Sequence, residues 1–429
     1  AGPLSTCFNP MPPFFCACTA LAIRAHLYTY VISTDTTRMT TLACSEGLRM
    51  ARSIEQITLQ EAGPSEEART LSAPLVEALW HSGLMQFMNP TAAGGHEPGF
   101  AELIETWLEM ARQDGSMGWI GIANLPSTAF AAAYLPDAGF REVFAANNNR
   151  VTMGGQFFPN GTGLQVEGGY RVTGAWQFGS GTGHSEYVCA GFLPMDGDEM
   201  LMGDDGMPLM QVAVVPREEV TFTDGWHVQG LKGTGSYDYK LQDVFVPTHR
   251  TYPLFTRDTM RGGPLYRFGI MPLTGCGHAA WALGVSRSAI DDVVGLAREK
   301  TRMGDDSSIA HKLTFQRNLA HHEGMWRAAH RLVVDTYTAM EARVRDGEPL
   351  TPGMRAEMRI AATYATEASR EVVQWAHLAA GTTAIREGSR LERAFRDMYT
   401  GTQHAFISEK TYTEAGKLML GLIEDSPAL

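Results

Sequence analysis

Hydrophobic and polar positions follow a helical period in the first part of the chain. Between about residues 53 and 150, apolar side chains recur at the i, i+3, i+4 and i+7 positions of an amphipathic helix, most clearly within 100–111. The residues on that face are Phe100, Leu103, Ile104, Trp107, Leu108 and Ala111. The pattern predicts helices whose apolar face is buried.

The period then changes twice. Between about 151 and 250, apolar and polar residues alternate with frequent glycines, as in 170–178, 187–192 and 211–215, which predicts strands. Long helical patterns return after about 255, and they cover 279–299, 309–345, 354–380 and 403–421. Their lengths and short Gly, Pro and Asp-rich joints suit an antiparallel four-helix bundle. The chain is therefore predicted to be α+β, with a helical domain over 39–150, a β-domain over 151–255 and a helical bundle over 256–429.

Residues 1–38 differ from the rest because they are rich in Pro and Cys and have no clear period. We expect them to be a non-native or disordered extension outside the fold, with Met39 or Met50 as a natural start. An apolar run at 14–23 lacks a preceding basic residue and is too short to span a bilayer, so it does not predict a signal peptide or a membrane anchor.

Composition narrows the class of protein. The chain has 429 residues, 44% hydrophobic and 19% charged, which is ordinary for a globular enzyme. A formal charge of −12 argues against a nucleic-acid partner. Four of the six cysteines precede residue 45, leaving Cys189 and Cys276, which supports neither a disulfide framework nor a zinc site. A reducing cytoplasm is the location that this cysteine usage favours. The histidines show no metal-binding motif, so we predict no metal.

One segment near the C-terminus concentrates candidate chemistry. Residues 396–404 read Arg-Asp-Met-Tyr-Thr-Gly-Thr-Gln-His. Gly401 between two threonines is the composition expected where the backbone approaches a ligand closely. His404 is the side chain best suited to exchange a proton near neutral pH.

This segment resembles the acyl-CoA dehydrogenase superfamily, in which Arg-Asp is followed by Tyr-Glu-Gly-Thr and the Glu removes the substrate's α-proton. Thr400 stands at the Glu position here. Other dehydrogenases keep their base ten residues before a helical Gly; Gly284 marks that glycine and Thr274 stands at the base position. With both positions lacking a carboxylate and His404 following, the chain resembles the oxygenase components of two-component flavin monooxygenases, such as 4-hydroxyphenylacetate 3-monooxygenase and dibenzothiophene monooxygenases.

Two further motifs carry the resemblance. The segment 176–181, Trp-Gln-Phe-Gly-Ser-Gly, is similar to the Trp-x-Phe-Ser-Ser-Gly segment of those monooxygenases, where an aromatic ring covers one flavin face and a Ser hydroxyl lies near flavin N5. The first Ser of that pattern is Gly179 here, so the resemblance assigns the hydroxyl to Ser180. The segment 230–247, with Gly-Thr-Gly-Ser and then Asp-Val-Phe-Val-Pro, matches a second superfamily pattern and marks the family.

The resemblance implies a set of site residues. His404 and Ser180 are the predicted catalytic residues, and Trp119 and Asn124 are predicted to face substrate, with a core position as the open alternative. The predicted cofactor-binding residues are Trp176, Phe178, Gly179, Ser180, Gly181, Lys300, Arg302, Gly381, Thr382, Arg396, Thr400 and Gly401. Among these, Lys300 and Arg302 are the phosphate candidates.

The resemblance also implies a fold and a reaction. The fold would be a helical domain, a β-barrel-like domain and a four-helix bundle in a homotetramer. A separate NAD(P)H-dependent flavin reductase would supply reduced flavin, FMNH2 or FADH2, and O2 would form a C4a-hydroperoxyflavin that hydroxylates a phenolic, indolic or polycyclic aromatic. His404 would position or deprotonate the substrate or stabilise the peroxide. The alternatives are an acyl-CoA dehydrogenase with a relocated base and a non-catalytic flavin-binding or ligand-binding homologue.

Overall fold

The computed structural model describes residues 45–203, 206–223 and 225–429. The extension expected at 1–38 and the start expected at Met39 lie outside the described residues. Met50 lies in the first described helix and is buried. The helices that precede the sheet are α1 (Glu46–Ser53), α2 (Glu55–Ala68), α3 (Ala73–Ser82), α4 (Phe100–Gln113), α5 (Gly115–Tyr134) and α6 (Asp137–Val143).

Helices α4 and α5 form the buried centre of this region. All six residues of the apolar face predicted within 100–111 are buried, which confirms that prediction. Asp114 begins α5, where its Oδ1 accepts a hydrogen bond of 2.9 Å from the backbone N–H of Met117, as an N-cap carboxylate does. The indole Nε1 of Trp107 donates to the carbonyl of Gly121 at 2.9 Å and ties α4 to α5. This packing fixes the part of α5 that carries Trp119.

The predicted strands are present in an eight-stranded mixed sheet. They are β1 (Met153–Val166), β2 (Gly169–Gly179), β3 (Tyr187–Asp196), β4 (Glu199–Met200), β5 (Gln211–Pro216), β6 (Thr221–Thr223), β7 (Tyr237–Pro247) and β8 (Thr251–Pro253). The order is β6-β7-β2-β1-β3-β5-β8, with β4 on β3; β1 and β3 are parallel and the other pairs are antiparallel. Gly179 at the end of β2 pairs with Tyr237 at the start of β7. Residues that follow β2 therefore lie beside residues that precede β7.

Five α-helices follow the sheet, and the first of them is longer than the sequence pattern predicted. They are α7 (Ile270–Glu299), α8 (Leu313–Arg345), α9 (Pro352–Ala380), α10 (Arg390–Gly401) and α11 (Glu409–Met419). Helix α7 begins at Ile270, whereas the pattern predicted its start at residue 279. The glycines in its first turns obscure the helical pattern, but they serve close packing: a Cβ at Gly277 would lie 3.0 Å from Ile122 Cβ.

The last predicted helix, 403–421, is wrong at its start. Residues 402–408 form turns between α10 and α11, and α11 begins at Glu409. Within these turns the backbone N–H of Ile407 donates to the carbonyl of His404 at 3.0 Å, so the chain changes direction at the histidine. Helix α9 packs against α7, α8, α10 and α11, which places the turns beside α7 and α9. None of the described helices has both the length and the apolar character needed to cross a bilayer.

Candidate active site

The segment after β2 has a backbone shaped to present Ser180. Phe178 and Gly181 have φ angles of 61° and 75°, and the backbone N–H of Ser180 donates to the Phe178 carbonyl at 2.8 Å. A Cβ at Gly181 would lie 1.7 Å from Asn124 Oδ1, so position 181 requires glycine. Backbone strain of this kind is commonly kept at functional sites. The tight turn places the Ser180 hydroxyl at the end of the strand.

Ser180 belongs to a chain of hydrogen bonds with a defined direction. At one end, Trp119 Nε1 donates to Ser180 Oγ at 3.1 Å. The hydroxyl of Ser236 lies 2.8 Å from that of Ser180 and 2.7 Å from that of Thr234. At the other end, Thr234 Oγ1 donates to the Leu231 carbonyl at 2.9 Å. An indole only donates, and each hydroxyl has one proton. When every group is satisfied, Thr234 accepts from Ser236 and Ser236 accepts from Ser180. Ser180 Oγ therefore retains a lone pair and no free proton.

Aromatic and imidazole rings surround Trp119 on the other side. Its ring centroid lies 5.0 Å from Trp281, 5.1 Å from His278 and 5.9 Å from His404, all edge to face. Trp281 is held by a 2.9 Å hydrogen bond from Nε1 to the Gly115 carbonyl. These rings form an apolar wall next to the Ser180 hydroxyl.

Gly401 is required by this wall. A Cβ at position 401 would lie 2.3 Å from Trp281 Cη2. The packing of Trp281 therefore accounts for the glycine, and contact of Gly401 with a cofactor stays a prediction. Thr400, at the position of the dehydrogenase base, uses its hydroxyl to donate to the Arg396 carbonyl at 2.9 Å.

His404 is a neutral hydrogen-bond donor at neutral pH. Its Nδ1 accepts from the backbone N–H of Phe406 at 3.3 Å, so this bond places the ring proton on Nε2. Desolvation by the surrounding side chains, together with the charge of Arg359, lowers the pKa of His404 to about 4.

His278 on α7 pairs with His404, with ring centroids 4.3 Å apart. Burial lowers the pKa of His278 well below its usual range, and the neighbouring His404 acts in the same direction. Below both imidazoles lies Arg359 of α9, which is 3% exposed and 5.5 Å from the centroid of the Phe406 ring. Two imidazoles and a guanidinium thus share one corner of the site, in which His278 and Arg359 are buried and His404 is partly exposed.

No carboxylate reaches this site in the described ranges: no Asp or Glu forms a hydrogen bond or an ion pair with Ser180, His278 or His404. The nearest buried carboxylate along α10 is Asp397, whose Oδ1 accepts from the backbone N–H of Leu231 at 2.6 Å. Asp397 is thereby committed to holding the segment before β7. Among the residues that the structure describes, the site therefore has no carboxylate in the role of the dehydrogenase base.

The structure brings together Trp119, Ser180 and His404, and it places Phe178, Gly179 and Gly181 in the same turn. Phe178 is 62% exposed and its ring is free to cover a planar ligand. Trp176 is a correction. It is 1% exposed, donates from Nε1 to the Gly191 carbonyl and stacks on Tyr239, so it belongs to the core of the sheet and does not cover a ligand.

Asn124 is also corrected, in favour of the core alternative. Its side chain is fully buried, and its Nδ2 donates to the hydroxyls of Ser185 at 3.1 Å and Thr152 at 3.3 Å. It supports the turn at Gly181 from below and does not face substrate.

The predicted phosphate-binding residues lie elsewhere, at the C-terminal end of α9. Lys300 Nζ donates to the Ala380 carbonyl and to Thr383 Oγ1, each at 2.8 Å, and Arg302 Nη2 donates to the Ala379 carbonyl at 2.9 Å. Gly381 and Thr382 continue from that helix end. These contacts satisfy the last carbonyls of α9. A role in holding a cofactor phosphate stays a prediction for these four residues.

Arg396 is engaged by protein groups. It donates from Nη1 to Glu66 at 3.0 Å and to the Gln229 carbonyl at 2.9 Å, and from Nη2 to Glu392 at 2.9 Å. These bonds join α10 to α2 and to the segment before β7. The prediction that Arg396 binds the cofactor is not supported by this geometry.

Sequence reasoning missed Ser236, His278, Trp281 and Arg359. Ser236 belongs to the Gly-Thr-Gly-Ser motif, so a signal was present. His278 lies one helical turn after Thr274, and the search for a base stopped at that position. Arg359 sits in a pattern typical of an ordinary amphipathic helix, and its burial has no signal in the sequence.

Comparison with known proteins defines the class first. A sequence model described as acyl-CoA dehydrogenase, C-terminal domain, matches residues 276–409. The solved structure of XiaF from Streptomyces sp., in complex with FADH2 and glycerol, superposes with a TM-score of 0.82 at 24% identity, covering 92% of this chain and 100% of that one. The chain therefore has the acyl-CoA dehydrogenase fold, and the predicted fold class is confirmed.

Relatives of similar length refine the assignment. The chain is 27% identical over 368 residues to indole-3-acetate monooxygenase of Pseudomonas putida, covering 84% of this chain and 90% of that protein. It is 28% identical over 379 residues to the oxygenase component of an FADH(2)-dependent resorcinol hydroxylase of Rhizobium sp. (strain MTP-10005), with the same two coverages. Over most of its length, the chain is therefore similar to oxygenase components of flavin-dependent monooxygenases.

Proposed function

We propose that this protein hydroxylates a small aromatic molecule, using O2 and a reduced flavin delivered by a separate NAD(P)H-dependent reductase. The observation that carries the proposal is the direction of the Trp119 to Leu231 hydrogen-bond chain, which leaves Ser180 Oγ as an acceptor. N5 of a reduced isoalloxazine carries a hydrogen and donates, whereas N5 of an oxidised isoalloxazine has no hydrogen and accepts. An acceptor at this position fits the reduced cofactor.

The residues around Ser180 fit a flavin in other respects. An isoalloxazine needs a flat apolar surface and a few fixed hydrogen bonds. Phe178 supplies an exposed aromatic ring two residues from Ser180, and Trp226 packs against that ring edge to face at 6.3 Å between centroids. When bound, the reduced flavin supplies the electrons that activate O2.

The protein's own contribution lies in positioning and in exclusion of water. Trp119, Trp281 and Phe406 line the site with apolar rings, which favours chemistry that water would interrupt. His404 offers a Nε2–H donor to an oxygen atom of the substrate, because its Nδ1 is occupied by the Phe406 N–H. We therefore assign His404 to positioning substrate through a donated hydrogen bond. No described Asp or Glu side chain contacts His404 or Ser180, which opposes removal of a proton α to a thioester.

Relatives guide the choice of substrates to test. Among them, the names indole-3-acetate monooxygenase and resorcinol hydroxylase cover an indole acid and a phenol. We propose a substrate from these aromatic classes. We also propose a homotetramer in the cytoplasm; exposed Leu313 and Leu378 beside a cleft of about 490 Å³ between α8 and α9 offer apolar surface for subunit contacts.

The test of function combines the purified chain with a flavin reductase, NADH, FMN or FAD, and a panel of indole-3-acetate, resorcinol and indole under 18O2. We expect one 18O atom in a product, and a matched reaction without the chain to give none. Bleaching of a tightly bound FAD by an acyl-CoA, without 18O incorporation, would favour the dehydrogenase alternative.

The role of Ser180 is tested by flavin binding under anaerobic conditions. We expect the wild-type protein to bind reduced FMN or FAD more tightly than the oxidised form by about tenfold, since an unpaired lone pair facing an acceptor costs about 1–2 kcal/mol. Ser180→Ala should lose most of this preference, and Ser53→Ala, an exposed serine on α1, should keep it. Equal affinity of the wild-type protein for both redox forms would contradict the assignment.

A further inference from the structure

Arg359 is a buried cation without a counter-ion. Its side chain is 3% exposed, and it forms no ion pair with any described residue. Nη2 donates to Thr411 Oγ1 at 3.1 Å, whereas Nε and Nη1 have no acceptor. A guanidinium has five N–H donors. Most of them are buried and unsatisfied here.

Arg355, one turn earlier on α9, shows how the same helix treats a second buried arginine. Arg355 is 7% exposed, and its Nη2 donates to the carboxylate of Asp425. The two arginines share a helix and a similar depth, but the described part of the chain provides a carboxylate to Arg355 only. The lack of a counter-ion is therefore specific to Arg359 and is not shared by Arg355 on the same helix.

The groups around Arg359 do not compensate its positive charge. The groups that face it are the hydroxyl of Tyr337 from α8, Thr411 from α11, the imidazoles of His278 and His404, and the ring of Phe406. None of these groups carries a negative charge at neutral pH. Burying an unpaired charge is costly, and the cost is recovered when an anion binds.

We propose that Arg359 anchors a carboxylate of the aromatic substrate. This inference rests on the proposed function, because it names the substrate class of the same site. A carboxylate has one negative charge at neutral pH and matches the planar fork of a guanidinium. A phenol, with a pKa near about 10, is neutral at that pH, and a phosphate would bring more charge than one cation balances.

The distances connect this anchor to the proposed chemistry. The Arg359 Cζ lies 5.5 Å from the Phe406 ring centroid, the Phe406 ring lies 5.3 Å from His404, and His404 lies 4.3 Å from His278. Arg359 and His404 thus pack against the same Phe406 ring, so an anion held at Arg359 would lie near the two imidazoles. The anchor and the His404 donor would orient an aromatic acid from two points.

The experiment measures binding without turnover. Isothermal titration calorimetry of the full chain, free of flavin, compares indole-3-acetate with indole-3-acetamide, which has the same shape and no charge. We expect the wild-type protein to bind the acid at least about tenfold more tightly. Arg359→Met should abolish that preference, and Arg359→Lys, which keeps the charge, should keep part of it. Arg355→Gln is the matched control and should keep the preference.

The outcomes separate this inference from the proposed function. Equal binding of the acid and the amide by the wild-type protein overturns the inference, as does loss of the preference in Arg355→Gln to the same extent as in Arg359→Met. Efficient 18O incorporation into resorcinol, with no advantage for an acid, also overturns it and leaves the function standing. Arg359-dependent selection of the acid without 18O incorporation into any aromatic supports the inference and contradicts the function.

Discussion

The polar groups beside the two ends of α10 differ in whether their charges are paired. Toward the start, Arg393 and Arg396 face Glu66, Glu392 and Asp114, and each guanidinium has a carboxylate within 4 Å. Beyond the last turn, His404 lies with His278 and Arg359, where no carboxylate is present among the described residues. Charges that are paired within the chain stabilise the fold, whereas unpaired buried groups cost stability and are retained where a ligand completes them.

The largest effect on activity is expected at His404, beyond the C-terminal end of α10. Replacement of His404 by Ala should reduce product formation about 100-fold, because a positioned hydrogen bond is lost, with less than a twofold change in flavin affinity. Oxygen incorporation and anaerobic flavin titration measure the two quantities. His404→Gln retains an N–H donor and should recover part of the rate; equal rates for Gln and Ala would contradict a donor role. His321→Ala, at an exposed histidine of α8, is the control.

A second experiment compares the two ends by stability. Arg396→Met leaves Glu66 and Glu392 without their main partner and should lower the free energy of unfolding by about 2 kcal/mol. Arg359→Met removes a buried charge that has no counter-ion, so the free energy of unfolding should stay unchanged or rise. Urea denaturation at pH 7 measures both. A loss in Arg359→Met as large as that in Arg396→Met would reveal an internal partner and remove the contrast.

The smallest expected effect concerns pH. Burial, and then the nearby Asp114, raise the pKa of Asp397 from 3.8 to about 8. Between these values the folded state holds a proton that the unfolded state lacks, so stability is highest below the lower value and falls as pH rises toward 8. This slope is about 1 kcal/mol per pH unit for one proton, and Asp397→Asn should remove it. Parallel slopes for both proteins between pH 6 and pH 8.5 would contradict the assignment.

Local patterns were enough to predict the elements. The buried face of α4, the strands β2, β3 and β5, and most of α8 and α9 follow from periodicity, because neighbouring residues decide it. The start of α7 was missed because Gly275 and Gly277 weaken a helical pattern, and only the packing of other helices against them explains their presence. The turns at 402–408 were missed because a hydrogen bond within them, from Ile407 to the His404 carbonyl, interrupts the helix without changing the hydrophobic pattern.

The site was predictable only where a motif carried it. Ser180 and His404 are marked by short segments, and the structure places both against Trp119. Trp176 was misplaced because a motif gives the order of residues and not the face of the strand that each occupies. Arg359 and His278 had no motif, because their meaning depends on which side chains from α7, α9 and the 402–408 turns meet in space. Whether a buried side chain has a hydrogen-bond or ion-pair partner can be seen only in the folded structure.

Leu231 connects Asp397 of α10 to the hydrogen-bond chain that ends at Ser180. Its φ angle is 55°, its N–H is held by Asp397 at 2.6 Å, and its carbonyl receives both Thr234 at 2.9 Å and Trp226 at 3.1 Å. The direction of the hydrogen bonds at Ser180 thus follows from the carbonyl of Leu231, a residue that the Asp397 carboxyl group holds in place. The hydroxyls around Ser180 are thus oriented before any ligand binds, so a ligand that donates a hydrogen bond to Ser180 spends none of its binding energy on turning them.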